Sequence, residues 1–365
     1  MSTAVIITEG PLTTDEFGRH AFAWYRGNLE WLPARTMFLA KSGSHAYGTN
    51  LPTSDLDLKG VAIPPREYFL GYLHRFEQAE CKGDLDAVIY DVRKFVNLAA
   101  DCNPNIIEVL FCDDRDVLLT SIAWERIRLH RDLFLSKKAQ HTFSGYAMAQ
   151  LKRIKTHRRW LLDPPKKHPE RSDFGLPNAP TLDKDQFGVV EARIRKLEDT
   201  LGGEGWTKDK VAERDAELVS AVAREIDLGP QLIPLIVAER KYNAAIRNWV
   251  SYQKWKEERN EKRAALESAH GYDTKHAMHL VRLMRMAIEI LGEGIVRVRR
   301  PDAEELLAVR GGAWSYDQLM QFAEEMETRL GTIAAESRLP HAPDRKKIDE
   351  VLVSVVGDFI DGPMS

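Results

Sequence analysis

Hydrophobic and polar positions in the first third of the chain alternate in short runs, which predicts strands separated by polar turns. We expect strands at 36–41 (TMFLAK), 55–63 (DLDLKGVAI) and 85–90 (LDAVIY). Residues 21–32 have helical spacing and are expected to form a helix. Asp91 is a suitable N-cap for a helix over 92–100, and Pro104 lies near the first turn of another helix.

The rest of the chain is patterned mostly as helices. These helices are expected at about 145–162, 186–226, 231–268, 273–292, 302–309 and 315–330. The Pro-rich stretch 163–185 is expected to be irregular, and 295–299 is expected to be a short strand. The last apolar run, 351–360, fits a helix or a strand.

These patterns predict an α+β fold with a mixed sheet in the N-terminal part and helices in the C-terminal part. We expect a catalytic domain over 1–140, a helical nucleotide- and acceptor-binding domain over 141–335, and a tail segment over 336–365.

Composition narrows the class of protein only modestly. The 365 residues are 44% hydrophobic and 29% charged, which is ordinary for a globular protein. The formal net charge is −3, so any binding of a polyanion must come from a local basic patch. We see no 18-residue apolar run and no signal peptide, and therefore expect no membrane span and a cytoplasmic location.

Candidate chemistry is concentrated in AKSGSHAYGTNLPTSDLDLKG, residues 40–60. Gly43 permits a sharp turn after the first strand, where backbone N–H groups and the Ser44 hydroxyl can hold phosphate oxygens. Asp55 and Asp57 are two apart on a strand, so both point to one face. Paired carboxylates repel unless a cation lies between them, and hard oxygen ligands suit Mg²⁺. The segment predicts a Mg-nucleotide site, and the alternative is a polar turn before an ordinary surface strand.

A third acid is available on the next strand. Asp86 lies inside an apolar strand, where an unpaired carboxylate is costly, and we predict that it completes a two-metal site. Asp84, close to the turn at Gly83, is the alternative.

The combination of a Gly-Ser turn, a ten-residue spacer, Asp-Leu-Asp-Leu and a third acid-bearing strand resembles the nucleotidyltransferase superfamily typified by DNA polymerase beta. Longer stretches resemble the branch of predicted nucleotidyltransferases that is associated with RNA-repair and RNA-ligase genes. They are GSHAYGTNLPTSDLDLKGVAIPPREYFLGY, YDVRKFVNLAADCNPNIIEVLF, SGYAMAQLKR and GYDTKHAMHLVRLMRMAIEILGEGIVRVRRPDAEELLAVRGG.

The resemblance implies that Asp55, Asp57 and Asp86 bind two Mg²⁺ ions, with Mn²⁺ as an alternative, and that Gly43 and Ser44 hold the triphosphate. An acceptor hydroxyl, expected at an RNA end, would attack the α-phosphorus of an NTP and release pyrophosphate. A protein or a small molecule as acceptor, and a non-catalytic RNA-binding protein that keeps the fold, are the alternatives. The preferred NTP and the oligomeric state stay open.

The helix near 273–291 carries a polar line of Lys275, His279 and Arg282 on an otherwise apolar element. We expect these side chains to bind the triphosphate or an acceptor phosphate, and the alternative is a solvated stripe or ion pairs with other acids. His276 lies on another side of the helix and is expected to be a core histidine.

A basic helix provides the strongest local positive charge. Its candidate contacts with RNA phosphates are Lys152, Arg153, Lys155, Arg158 and Arg159. The alternative is a solvated helix face.

Overall fold

The computed structural model describes residues 6–8, 22, 24–81, 85–180, 183–201, 208–225, 229–259 and 261–361. The strands are β1 Ile6–Thr8, β2 Thr36–Ser42, β3 Leu56–Ala62, β4 Gln78–Cys81, β5 Leu85–Asp91 and β6 Val117–Ser121. The helices are α1 Gly43–Tyr47, α2 Glu67–Leu70, α3 Val92–Ala100, α4 Pro104–Leu110, α5 Ile122–Leu129, α6 Lys138–Leu162, α7 Lys184–Leu201, α8 Lys208–Glu225, α9 Ile233–Glu257, α10 Glu261–His270, α11 Thr274–Glu293, α12 Ala303–Arg310, α13 Tyr316–Glu336 and α14 Arg345–Asp361. Short 3₁₀ turns lie at Asp114–Asp116, Arg131–Phe134, Arg171–Phe174 and Pro230–Leu232.

A mixed six-stranded sheet has the order β1-β6-β2-β3-β5-β4. The central strand β3 runs antiparallel to β2 and parallel to β5. The outer pairs are β1 with β6 in parallel and β4 with β5 in antiparallel orientation. The predicted α+β class is therefore confirmed, as are the three predicted strands, with ends shifted by a residue or so.

The two faces of the sheet are both covered, because neighbouring side chains on a strand point in opposite directions. Phe38 lies in the core on the helical side, where its ring stacks on Trp124 at 4.1 Å between centroids. Its neighbour Leu39 lies in a second core on the opposite face, with Leu32 and Phe76 from irregular segments. We call these the helical face and the outer face of the sheet.

Local signals set the predicted helix starts that lead out of the sheet. The Asp91 carboxylate accepts hydrogen bonds from the backbone N–H of Arg93 and Lys94, which confirms the predicted N-cap. Pro104 occupies the first turn of α4, where its missing N–H removes no helical hydrogen bond. The final apolar run resolves as helix α14.

Two predicted elements are wrong. Residues 24–35 form turns rather than a helix, since Gly27 and Pro33 interrupt the segment and Leu32 is drawn into the outer-face core. The predicted strand at 295–299 is irregular, because Val298 packs on helix α1 instead of joining a sheet edge.

The chain forms two compact units: Met1–Arg158 with Ala265–Ser365, and Arg159–Ala264. The first contains the sheet, and the second has its own small core in which Ile194, Val219 and Ile236 are fully buried. The functional division at residue 140 stays a prediction. Among the described residues, every helix is too short or too polar to cross a membrane.

Candidate active site

The turn that follows β2 lies directly against the first pair of acids. Ser42, the last residue of β2, is opposite Asp57 in the antiparallel register. Gly43 then adopts φ +61°, a left-handed conformation that favours glycine. A methyl group built on Gly43 would overlap Oδ2 of Asp57, so this carboxylate fills the space that a side chain would need. The predicted Gly-Ser turn and Asp57 therefore form one structural unit.

The register of β3 and β5 brings the second and third acids side by side. Asp57 pairs with Asp86 in the parallel ladder, and both lie on the helical face of the sheet. Asp55 precedes β3 by one residue and is exposed. Asp86 lies within β5, as predicted, but it is the second residue of the strand and is exposed, so the expected cost of an unpaired buried carboxylate does not arise. Asp84 lies outside the described residues, and the choice between it and Asp86 stays open.

The surroundings of Asp57 would favour a bound cation. Burial, and then the neighbouring Asp86 carboxylate, raise the pKa of Asp57, while the charges of Lys59 and Lys275 act in the opposite direction. Asp55 also raises this pKa. Oxygen donors from carboxylates on adjacent strands fit a hard divalent cation, which would relieve their repulsion. The buried Ser42 hydroxyl beside them has no hydrogen-bond partner in the part of the chain that the structure describes.

The structure contains a buried polar cluster that the sequence did not predict, and the charge of Asp57 acts on one of its members, Tyr47. The Tyr47 hydroxyl donates to Glu108 Oε2 at 2.5 Å, and Arg282 forms an ion pair with the other Glu108 oxygen. The Arg282 guanidinium also lies over the Tyr47 ring at 3.8 Å. Lys59 Nζ donates to the carbonyl of Asn105 at 3.2 Å. We call Tyr47, Glu108 and Arg282 the buried cluster; Lys59 is only partly buried, and the charge of Glu108 acts on it.

The three polar residues predicted to line one side of α11 have different surroundings in the structure. Lys275 is exposed, and its positive charge acts to lower the pKa of Asp57. Arg282 is only 4% exposed and its charge is balanced by Glu108, so it matches the alternative of an ion pair with another acid. Burial, with the charges of Arg282 and Lys275, lowers the pKa of His279 well below its ordinary value. A role for these residues in nucleotide binding stays a prediction.

Arg299 and Arg300, from the C-terminal part of the chain, donate hydrogen bonds to backbone carbonyls of helix α1. Arg299 Nη2 lies 2.9 Å from both carboxylate oxygens of Asp116 and donates to the His45 carbonyl at 3.3 Å. The backbone N–H of Arg300 donates to the Tyr47 carbonyl at 3.0 Å. No sequence signal pointed to these contacts, because they join residues more than 180 positions apart.

The basic helix α6 presents only part of its predicted charge to solvent. Lys152, Arg153 and Lys155 are exposed. Arg158 is half-buried, donates to the Gly271 carbonyl at 2.8 Å, and lies over the Tyr316 ring at 4.2 Å.

Arg159, one position further, is exposed and donates to Asn248 Oδ1 at 2.8 Å. Contact of any of these side chains with RNA stays a prediction.

The mixed sheet, with a Gly-Ser turn against one acid and a second acid on the adjacent strand, is the arrangement that the resemblance to polymerase beta-like nucleotidyltransferases predicts. Residues 27–162 match the RNA repair pathway DNA polymerase beta family, so the resemblance noted in the sequence is confirmed for this part of the chain. The chain is also similar to an uncharacterized 38.9 kDa protein in the nrdC-mobD intergenic region of Enterobacteria phage T4. The two are 24% identical over 324 residues, which cover 83% of this chain and 90% of the phage protein. No solved structure matches the chain significantly.

Proposed function

We propose that the chain is a divalent-metal-dependent nucleotidyltransferase that transfers NMP from an NTP to the hydroxyl of an RNA end. The observation that carries the proposal is the register of three strands, which brings the Gly43 turn against Asp57 and pairs Asp57 with Asp86. The match to an RNA repair pathway family supports RNA as the acceptor.

In this proposal the acids hold the cations and the turn holds the phosphates. Asp55, Asp57 and Asp86 supply the carboxylate oxygens, and backbone N–H groups at Gly43 and Ser44 with the Ser44 hydroxyl bind the triphosphate. Bound Mg²⁺ or Mn²⁺ would stabilise charge on the attacking and leaving oxygens. The acceptor hydroxyl gives up its proton to solvent and its oxygen forms a bond to the α-phosphorus, while the bond from that phosphorus to the oxygen that bridges to the β-phosphate breaks and pyrophosphate leaves.

Two residues of α11 receive different roles. Lys275 is exposed, and its positive charge acts to lower the pKa of Asp57. We therefore propose that Lys275 contacts the triphosphate. Arg282 is a positioning residue, because its guanidinium holds Glu108 and covers the ring of Tyr47 at the end of α1. Its effect on the nucleotide would pass through the position of α1. Burial and the charges of these two cations lower the pKa of His279, and we assign it no contact with the nucleotide.

The exposed cations of α6 are the proposed path for the RNA backbone. Lys152, Arg153 and Lys155 are exposed, and a chain with net charge −3 needs such a local patch to attract a polyanion.

The test is transfer of label from each α-labelled NTP to short RNAs in the presence of Mg²⁺. Wild type should label RNA, and the variant Asp55→Ala with Asp57→Ala should not. The matched control is Asp349→Ala with Glu350→Ala, which removes two exposed acids from α14 and should leave transfer unchanged.

Equal labelling by the acid variant and wild type would overturn the proposal. Label that appears on protein and never on RNA would overturn the acceptor while leaving the reaction class intact. An Asp86→Asn variant with full activity would move the third acid to another residue.

A further inference from the structure

Two histidines and an aspartate meet where α6 packs against the start of α11. His157 lies on α6, His276 is in the first turn of α11, and Asp273 is the N-cap of that helix. Asp273 is fully buried, whereas the side chains of His157 and His276 are 15% and 14% exposed. The three residues belong to one compact unit of the chain. We call them the histidine cluster.

The ligand atoms of the histidine cluster lie close together. His157 Nδ1 lies 3.2 Å from Asp273 Oδ2, and His276 Nε2 lies 3.6 Å from the same oxygen. All three ligand atoms lie within 4.8 Å of one another. Ligand atoms placed at about 2.0–2.1 Å from a tetrahedral zinc ion are about 3.4 Å apart, so the first two separations already match such a site.

The two oxygens of Asp273 have separate tasks. Oδ1 accepts a hydrogen bond from the backbone N–H of His276 at 3.1 Å, which caps α11 and fixes the orientation of the carboxylate. Oδ2 then faces both imidazoles. A hydrogen bond from His157 could account for the 3.2 Å contact, but 3.6 Å is too long for a hydrogen bond from His276. A shared cation accounts for both nitrogens lying within 3.6 Å of one oxygen.

We propose that His157, Asp273 and His276 bind one transition-metal ion, with Zn²⁺ the best fit and a solvent molecule as the fourth ligand. The partial exposure of both histidines leaves room for that fourth ligand. Imidazole nitrogens select borderline ions such as Zn²⁺ over Mg²⁺, which separates this site from the carboxylate site on the sheet. The bound ion ties α6 to the turn of α11 that bears Lys275. Metal binding here does not depend on the proposed nucleotide transfer.

The test measures metal binding by the full-length chain. Protein stripped with a chelator is titrated with Zn²⁺ by calorimetry in excess Mg²⁺, and Co²⁺ is used as a probe because tetrahedral Co²⁺ absorbs strongly in the visible range. Wild type should bind one ion and show these bands. His157→Gln and His276→Gln should weaken binding at least on the order of 100-fold, the most that changes outside the ligand shell cause.

Two further variants distinguish a metal site from a structural cluster. Asp273→Asn retains a good N-cap but loses the charged oxygen ligand, so it should keep its fold and lose Zn²⁺ binding. His141→Gln removes an exposed histidine from the same helix α6 and should bind Zn²⁺ like wild type.

Bound Zn²⁺ should also raise the thermal midpoint of wild type and of His141→Gln, but not of the ligand variants. The proposal is overturned if wild type binds Zn²⁺ no more tightly than a folded His157→Gln/His276→Gln variant, or if Asp273→Asn binds it equally well.

Discussion

At position 43 the chain needs a residue without a side chain for two separate reasons. The backbone is left-handed there, and the space beside the α-carbon is occupied by the Asp57 carboxylate. The sequence alone predicted the turn and its glycine, since both are local. It did not reveal that the glycine and the acid touch, because that contact depends on the register of β2 with β3.

A pair of glycine variants separates these two reasons. Gly294 has φ +69° with no atom within 4 Å of an added methyl group, so Gly294→Ala should cost only the left-handed strain, about 1 kcal/mol in urea unfolding. Gly43→Ala should cost more and should also reduce nucleotide transfer strongly, because Asp57 must move. Equal losses of stability in the two variants would show that the overlap with Asp57 is harmless.

When metal is absent, an ionised Asp57 should stabilise the folded chain less than a neutral asparagine at the same position. Burial and Asp86 raise its pKa, so the ionised carboxylate is disfavoured in the folded state. Asp57→Asn should therefore have a higher thermal midpoint than wild type in a chelator, and should lose transfer. Added Mg²⁺ should raise the midpoint of wild type only.

The same comparison has a defined pH dependence. As the pH falls through the raised pKa of Asp57, the folded wild type takes up a proton before the unfolded chain does and gains stability. The advantage of Asp57→Asn should therefore shrink toward low pH. An advantage that is constant or grows on acidification would contradict this account.

At the scale of a single element, helix α11 shows what a sequence pattern can predict and what it cannot. Helical spacing predicted correctly that the helix is largely apolar with polar side chains among the apolar ones. It could not tell that Glu108 of α4 would take up Arg282, since the two residues are 174 positions apart. Partner choice in a buried ion pair depends on tertiary packing, which local periodicity does not contain.

Loss of one member of the Arg282–Glu108 pair should be far worse than loss of both. Arg282→Met leaves a buried carboxylate without its ion-pair partner and should reduce the free energy of unfolding by about 3–5 kcal/mol. Adding Glu108→Gln should recover much of that loss, as measured by a double-mutant cycle in urea.

The matched control is an exposed ion pair that also joins distant parts of the chain, Arg345 with Asp101, whose side chains are 52% and 46% exposed. Arg345→Met should cost no more than about 1 kcal/mol. A cost for Arg282→Met as small as that of the control would mean that the buried pair contributes little.

At the scale of the whole molecule, the distribution of charged side chains is more informative than the net charge. The net charge of −3 conceals a stripe of exposed cations on α6, and the structure shows that Arg158 is engaged by Gly271 and Tyr316. Sequence alone identified the patch, but it could not separate its exposed members from those that hold the fold.

Salt dependence of RNA binding tests this patch. Lys152→Ala with Lys155→Ala should weaken binding of single-stranded RNA and reduce the slope of log K against log salt by about 1.4. Lys346→Ala with Lys347→Ala removes the same charge from exposed positions of α14 and should change neither quantity. Identical slopes in both variants and wild type would exclude the α6 patch as the RNA path.

The unit that contains the sheet is assembled from two stretches of sequence, and this discontinuity has a consequence for biosynthesis. Arg299, which pairs with Asp116, leaves the ribosome 183 residues later, an interval of about 10–40 seconds at ~5–20 residues per second. During that interval the Asp116 carboxylate lacks Arg299, and for most of it the Glu108 carboxylate lacks Arg282, so the nascent sheet cannot reach its final packing. For the same reason, a recombinant fragment ending at residue 162 should stay unfolded, even though it contains the whole stretch by which the family is recognised.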